Sequence, residues 1–279
     1  MKVAVMTDST AYIPREEREA LDIHMIPLSV VFKDRAYLEE VEITPKEFYA
    51  KVKEADELPT TSQPSIGVVT DKMEELARDY DAVVSIHLSS GISGTYQTVA
   101  STVDMVDGLD VYAYDSEMSC MAQGFYAIEA AKMAKAGQSP QAIISRLDEM
   151  KESMRAYFMV DDLHNLQRGG RLSGTQAFVG TLLQVKPVLH FENKKIVPFE
   201  KIRTRKKALK RILSMLEEQA EKQKSMRVVF IATERDDARK LETAFKDKYP
   251  DIETSVSYFG PVIGTHLGEG SIGAAWYEE

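Results

Sequence analysis

The stretch Ser89-Ser90-Gly91-Ile92-Ser93-Gly94-Thr95-Tyr96 concentrates hydroxyls and glycines where they can do chemistry. The apolar run 81–88 before it reads as a buried strand, and Thr95 to Val106 after it can form a helix. A strand-to-helix turn of this kind aims free backbone N–H groups and the positive end of a helix dipole at one spot. Gly91 and Gly94 let the backbone come close to a bound group, and Ser90, Ser93 and Thr95 add side-chain donors. Together they describe a site for a small anion, a carboxylate or a phosphate. A second reading gives Ser93 only a capping role and the glycines only the turn.

The elements that must hold this loop alternate. Lys2 to Met6 reads as a strand running into Thr7-Asp8-Ser9-Thr10, followed by a short helix from Pro14 to Leu21. His24 to Phe32 reads as one strand. Thr44-Pro45-Lys46-Glu47 is a capping box opening a helix to about Glu54. A polar loop, Leu58 to Ser65, leads into a helix reaching Tyr80, capped by Ser65. Beyond the central loop come a strand at 111–114 and helices at 119–136 and 139–153. Strands alternating with helices predict a parallel sheet covered on both faces, with ligands beyond the carboxyl ends of the strands. Three hydroxyl-rich segments, 7–10, 60–65 and 89–95, are expected to converge there.

After residue 155 the pattern changes. A strand at 156–160 and a helix at 163–167 lead into Arg168-Gly169-Gly170-Arg171-Leu172-Ser173, where Ser173 can cap a helix through Leu183. A hairpin turns at Glu192-Asn193-Lys194, and a long helix runs from Thr204 to about Lys222. A strand at 227–232, a helix at 236–248 and a strand at 254–258 precede a glycine-rich segment, 260–270, read as a loop carrying His266. Ser271 to Tyr277 closes the chain as a strand. The expected architecture is α/β in two domains. Residues 1–155 form an N-terminal three-layer α/β/α domain with a parallel sheet, and residues 156–279 a C-terminal α+β domain with a mixed sheet.

Composition narrows the function. At 279 residues, 44% hydrophobic and 28% charged, the chain reads as an ordinary water-soluble globular protein. A net charge of −9 opposes general nucleic-acid binding, which needs a basic surface. A lone cysteine, Cys120, excludes an internal disulfide framework, and no metal-ligand spacing or cofactor motif is present. The chain enters a strand directly, shows no signal peptide and has no apolar run of the ~18 residues a membrane span requires. A cytoplasmic location is expected.

Six motifs, in order over nearly the whole chain, resemble the DegV family. They are Thr7-Asp8-Ser9, the run from Thr60 to Ser65, the Ser89-to-Tyr96 loop, Leu166-Gln167-Arg168-Gly169-Gly170-Arg171-Leu172, Lys186-Pro187, and Gly264-Thr265-His266 with Gly268 and Gly270. The resemblance implies a two-domain α/β protein holding one long-chain fatty acid in a tunnel between the domains. It further implies the role of the FakB members in phospholipid metabolism. These present the fatty-acid carboxylate to a separate dihydroxyacetone-kinase-like fatty acid kinase, which makes the acyl phosphate, while the carrier does no chemistry and needs no cofactor. Transient membrane contact is compatible with this role. By the same resemblance Thr61, Ser62, Ser93 and His266 hold the carboxylate, with Gly94 and Thr95 of the same loop beside them. Glu269 departs from the proline common at its position, which leaves that loop less rigid.

Residue chemistry agrees with a lipid. Hydroxyl and backbone donors give a carboxylate hydrogen bonds without a full countercharge. The tail must then supply most of the affinity, about 0.8 kcal/mol per buried methylene, or roughly 10 kcal/mol for sixteen carbons before ordering costs. Phe178, Val179, Leu182 and Leu183, at helical spacing, are candidates for the tunnel wall or for plain core. His87, inside a strand, reads as a satisfied core histidine. From Lys201 to Arg211 seven Lys or Arg occur without an acid, a ridge suited to an acidic partner surface. Arg171, Arg203 and Arg205 are the candidate partner-binding residues, two of which (Arg171 and Arg203) correspond to family docking positions. The alternative function is a hydrolase using Ser93 and His266, although the GxSxG elbow is absent.

Overall fold

The computed structural model describes residues 1–33, 35–173, 185–223 and 225–279. Four parallel strands form the first sheet in the order β2-β1-β6-β7, from β1 (Val3–Asp8), β2 (Ile23–Ile26), β6 (Ala82–His87) and β7 (Asp110–Asp115). Alternation sorts each strand's side chains between two apolar layers. Val3 and Val5 of β1 pack toward α5 (Cys120–Lys135) and α6 (Pro140–Ser153). Ala4 and Met6 pack toward Val69 and Met73 of α3 (Ile66–Leu76) and Val99 of α4 (Thr95–Ala100). Both faces are covered, so β1 and β6 are buried throughout.

A six-stranded mixed sheet lies on the other side of α5 and α6, ordered β10-β9-β8-β13-β11-β12. Its strands are β8 (Arg155–Met159), β9 (Val188–Glu192), β10 (Lys195–Glu200), β11 (Met226–Ala232), β12 (Glu253–Tyr258) and β13 (Ile272–Glu278). Only β11 and β12 run parallel in it. Val229 and Ile231 of β11 face the core shared with α5, while Val228 and Phe230 face α8 (Arg205–Ala220) and α9 (Arg235–Lys246). Helix α5 is therefore apolar nearly all round, because a sheet lies on each side of it. The two halves of the chain share one core through it. We propose the boundary between them near residue 155, where the chain passes from α6 to β8.

Several sequence expectations need correction. The stretch 24–32 is two strands, because Pro27 lacks the N–H to continue the ladder. β2 joins the parallel sheet, and β3 (Ser29–Phe32) starts a separate antiparallel sheet, β4-β3-β5, with β4 (Arg35–Leu38) and β5 (Thr60–Ser62). The latter lies within the segment read as loop. The helix after the central loop ends at Ala100, short of Val106, as Ser101 and Thr102 turn their hydroxyls onto the carbonyls of Thr98 and Val99. The expected glycine-rich loop is a helix, α10 (Pro261–Leu267), with Pro261 at its first position. Gly264 serves packing there, since a Cβ would strike the Tyr49 hydroxyl. The helix expected through Leu183, with Phe178, Val179, Leu182 and Leu183, lies outside the described residues. The capping box at Thr44 and Glu47 forms as expected at the start of α2 (Pro45–Glu54).

Candidate functional site

A cavity of about 930 Å³, its mouth included, lies between the mixed sheet on one side and β5, the loop after β6 and the start of α5 on the other. Its ends differ. Thr61, Ser62, Gln63, Ser93, Arg171 and His266 gather at one part of the wall. Leu88, Phe158, Phe191, Ile231, Phe259 and Ile263 make an apolar remainder. Strand alternation turns Phe158 and Ile231 inward, while Phe259 and Ile263 come from the end of β12 and from α10.

Three elements bring the polar groups together. Thr61 stands on β5, paired with Val30 of β3. Ser93 precedes α4, beyond the carboxyl end of β6. His266 sits in the last turn of α10. Thr61 Oγ1 lies 2.8 Å from His266 Nε2, joining residues from opposite halves of the chain. Ser93 Oγ lies 2.9 Å from Thr95 Oγ1 and accepts the Thr95 N–H at 3.3 Å. Thr95 is buried and supports Ser93 without lining the cavity. The exposed Ser62 is at the mouth, its hydroxyl donating to the Gln63 carbonyl at 3.2 Å.

The glycines differ from the expected use. A Cβ on Gly91 would meet the Lys194 backbone, so the space at Gly91 is taken by the β9–β10 turn. Ser89 Oγ donates to the same Lys194 carbonyl at 2.6 Å. A Cβ on Gly94 would meet the Gln63 amide, which donates to Thr98 Oγ1 at 2.7 Å and ties the two hydroxyl loops together. The third hydroxyl segment does not reach the cavity. Asp8 is buried, accepts from Leu88 N–H and Gln123, and pairs with His87 Nδ1 at 3.0 Å. His87 Nε2 lies 2.6 Å from Ser85 Oγ, so His87 is the satisfied core histidine expected.

Arg171 lines the cavity, donating to the Ile92 carbonyl at 3.1 Å and to the Gly169 carbonyl. It brings a positive charge beside the hydroxyls, which the sequence reading gave only to a docking surface. Arg203 lies elsewhere, in an exposed depression with Lys201, Lys207 and Lys210. Arg205 is engaged with Asp161 at 3.2 Å and Asp237 at 3.4 Å.

Burial, with Arg171 and Arg168 nearby, pushes the His266 imidazole down to about 4. It is neutral at pH 7, with Nε2 against the Thr61 hydroxyl. The unfolded chain binds a proton below the usual histidine value and the folded chain does not until about pH 4. Stability from this residue is thus complete above about pH 6.5 and falls as the pH drops toward 4. His266→Gln is expected to flatten that part of the profile, read as the wild-type-minus-variant melting temperature between pH 4 and 7. A difference constant with pH would contradict a buried neutral ring.

Cys120 lines the cavity, and burial drives its thiol well above the ordinary range, so it is no nucleophile. Among the described residues no hydrogen bond joins Ser93 to His266, whose partner is Thr61. No group of acids, cysteines or histidines there could hold a metal, and no helix there is long and apolar enough to cross a membrane. The hydrolase alternative finds no support.

Fold and cavity define an α/β protein whose mixed sheet walls an apolar space that is polar where β5, the loop after β6 and α10 meet. The model of the DegV family of uncharacterised proteins matches residues 2–279. The chain belongs to the DegV family. It is 59% identical to Protein DegV of Bacillus subtilis over 99% of both chains, and 54% identical to a DegV domain-containing protein of Listeria innocua over 99% of this chain and 98% of that one. Its fold matches the crystal structure of DegV from Bacillus subtilis, described as a fatty acid binding protein. The TM-score is 0.96 and the identity 58%, with both chains fully covered. A fatty-acid-binding DegV family protein of Thermus thermophilus matches at TM-score 0.91 and 32% identity, also over both full chains.

Proposed function

We propose that this protein binds one long-chain fatty acid in the cavity walled by its mixed sheet. In this reading it presents the carboxylate to a separate dihydroxyacetone-kinase-like fatty acid kinase. The observation that carries the reading is one cavity with an apolar wall and a hydroxyl, imidazole and guanidinium cluster at one part of it. Thr61, Ser62, Ser93 and His266 hold the carboxylate, with Gly94 and Thr95 shaping the Ser93 loop. Arg171 supplies the charge that the neutral donors lack. The carboxylate oxygen then attacks the γ-phosphorus of the kinase's ATP, giving acyl phosphate and ADP. The carrier needs no cofactor and catalyses nothing, consistent with the unactivated Ser93. We place it in the cytoplasm with transient membrane contact.

Extraction of the purified protein under denaturing conditions is expected to release about one fatty acid per chain, identified by mass spectrometry. Added palmitate or oleate should raise the melting temperature of lipid-free protein by mass action. No extracted lipid and no shift with either acid would end the carrier reading.

A further inference from the structure

Glu39 follows β4 and is fully buried, and among the described residues no cation pairs with it. A carboxylate so placed is costly unless hydrogen bonds satisfy it. Its donors come from three places. Ser9 Oγ donates at 2.6 Å, Tyr12 Oη at 2.9 Å and the Val262 N–H at 2.7 Å. Val262 lies in the first turn of α10, one turn before His266. Tyr12 Oη also accepts the Ile263 N–H at 3.3 Å. Two of the orphan N–H groups at the start of α10 are thus satisfied from the other half of the chain.

The end of α10 is held by β5 of the small antiparallel sheet, where His266 meets Thr61. Glu39, the residue after β4, and Thr61 of β5 therefore hold this seven-residue helix at its two ends. We propose that Glu39 is a positioning residue for the head-group site, fixing the first turn of α10 so that His266 meets Thr61 and faces the cavity. This deepens the fatty-acid reading and rests on it for the ligand. A burial cost at this place, with no catalytic use for the acid, is explained by that register.

Burial pushes the Glu39 carboxyl up to about 7. The titratable groups around it are Tyr12, Tyr49, Tyr258, Glu40 and Cys120. None is cationic near neutrality. The folded state holds the proton more tightly than the unfolded chain, so the contribution is fully present below about pH 4.5 and lost as pH rises through 7.

The test uses the full chain with Glu39→Ala and Glu39→Gln. The pH titration of the His266 ring is followed by NMR, and palmitate affinity is measured well below the melting temperature. In Glu39→Ala the freed helix should let water reach the ring, so its midpoint should rise from about 4 toward the ordinary 6.5. Palmitate binding should weaken roughly tenfold. Glu39→Gln keeps an oxygen for the Val262 N–H. It should hold the His266 midpoint and the affinity, and lose less stability than wild type as pH passes 7. Should Glu39→Ala not fold, Tyr12→Phe, which removes the hydroxyl shared by Glu39 and Ile263, should shift the midpoint in the same direction. A midpoint that stays near 4 in these variants overturns the proposal, whatever the melting temperature does. If the midpoint moves but wild type takes up no palmitate, the positioning role stands and the fatty-acid reading fails.

Discussion

Replacing both Ser93 and His266 by alanine is expected to weaken fatty-acid binding by at least two orders of magnitude while the fold survives. Each donor to a charged acceptor contributes about 1.5–3 kcal/mol, and each 1.4 kcal/mol is about tenfold. The pair sits in one cluster, so the double loss need not equal the sum of the singles. Neither residue belongs to an apolar core cluster. Ser93→Ala leaves Thr95 its backbone and removes a hydroxyl contact at 2.9 Å. His266→Ala frees Thr61 and removes the imidazole from the cavity wall. Calorimetric titration with palmitate, beside circular dichroism for the fold, checks both statements. Affinity equal to wild type in the double variant would mean that the carboxylate lies elsewhere in the cavity. Single variants refine the picture. A larger loss in His266→Ala than in Ser93→Ala would mark the imidazole N–H as the main neutral donor.

Most of the first sheet was legible because its signals are local. Alternation in 3–8 and 82–87 places side chains on two buried faces, and Thr44, Ser65 and Ser139 each cap the helix that follows. The errors share a cause in long-range packing. Thr60–Ser62 is too short and polar to announce a strand, and becomes one only by pairing with β3 far back in the chain. Gly264 weakens helix propensity, yet α10 forms because Pro261 starts it, Glu39 and Tyr12 satisfy its first N–H groups, and Tyr49 needs the missing Cβ. At the site, composition pointed to Ser93 and the family motif to His266. Neither could reveal that Thr61 meets His266 across 205 positions. Arg171 was read as a surface charge, since nothing local in a Gly-Gly-Arg turn says that its guanidinium folds back toward the Ile92 carbonyl. Glu39 carried no signal: among many acids in a helix- and turn-rich stretch, only burial singles it out.

The second large effect concerns the proposed kinase. Arg171 is a poor probe of docking, because reversing its charge would put a carboxylate beside the bound one. Arg203, Lys207 and Lys210 are better placed. They surround an exposed depression that shares no residue with the cavity at Thr61 and His266, and among the described residues none of the three is in an ion pair. Arg211, in the same ridge, is already engaged by Glu200 and Glu218. Uncompensated like charges at the start of α8 oppose the helix dipole, at a cost of about a few tenths of a kcal/mol each. A partner surface rich in acids would relieve that repulsion and steer a brief encounter. Arg203→Glu with Lys207→Glu and Lys210→Glu should therefore leave palmitate affinity unchanged and slow acyl-phosphate formation by the kinase at least tenfold at subsaturating carrier. The same substitutions put acids near the start of α8, so the melting temperature should hold or rise. Raising the salt from 0.1 M to 1 M shortens the screening length from about 10 Å to about 3 Å. Wild-type coupled rates should fall steeply over that range and the triple variant should respond little. If the triple variant supports the wild-type rate at low carrier concentration, the ridge is a solvated helix face, and the surface that meets the kinase must lie nearer the mouth, around Ser62 and the exposed Ile66 and Val68.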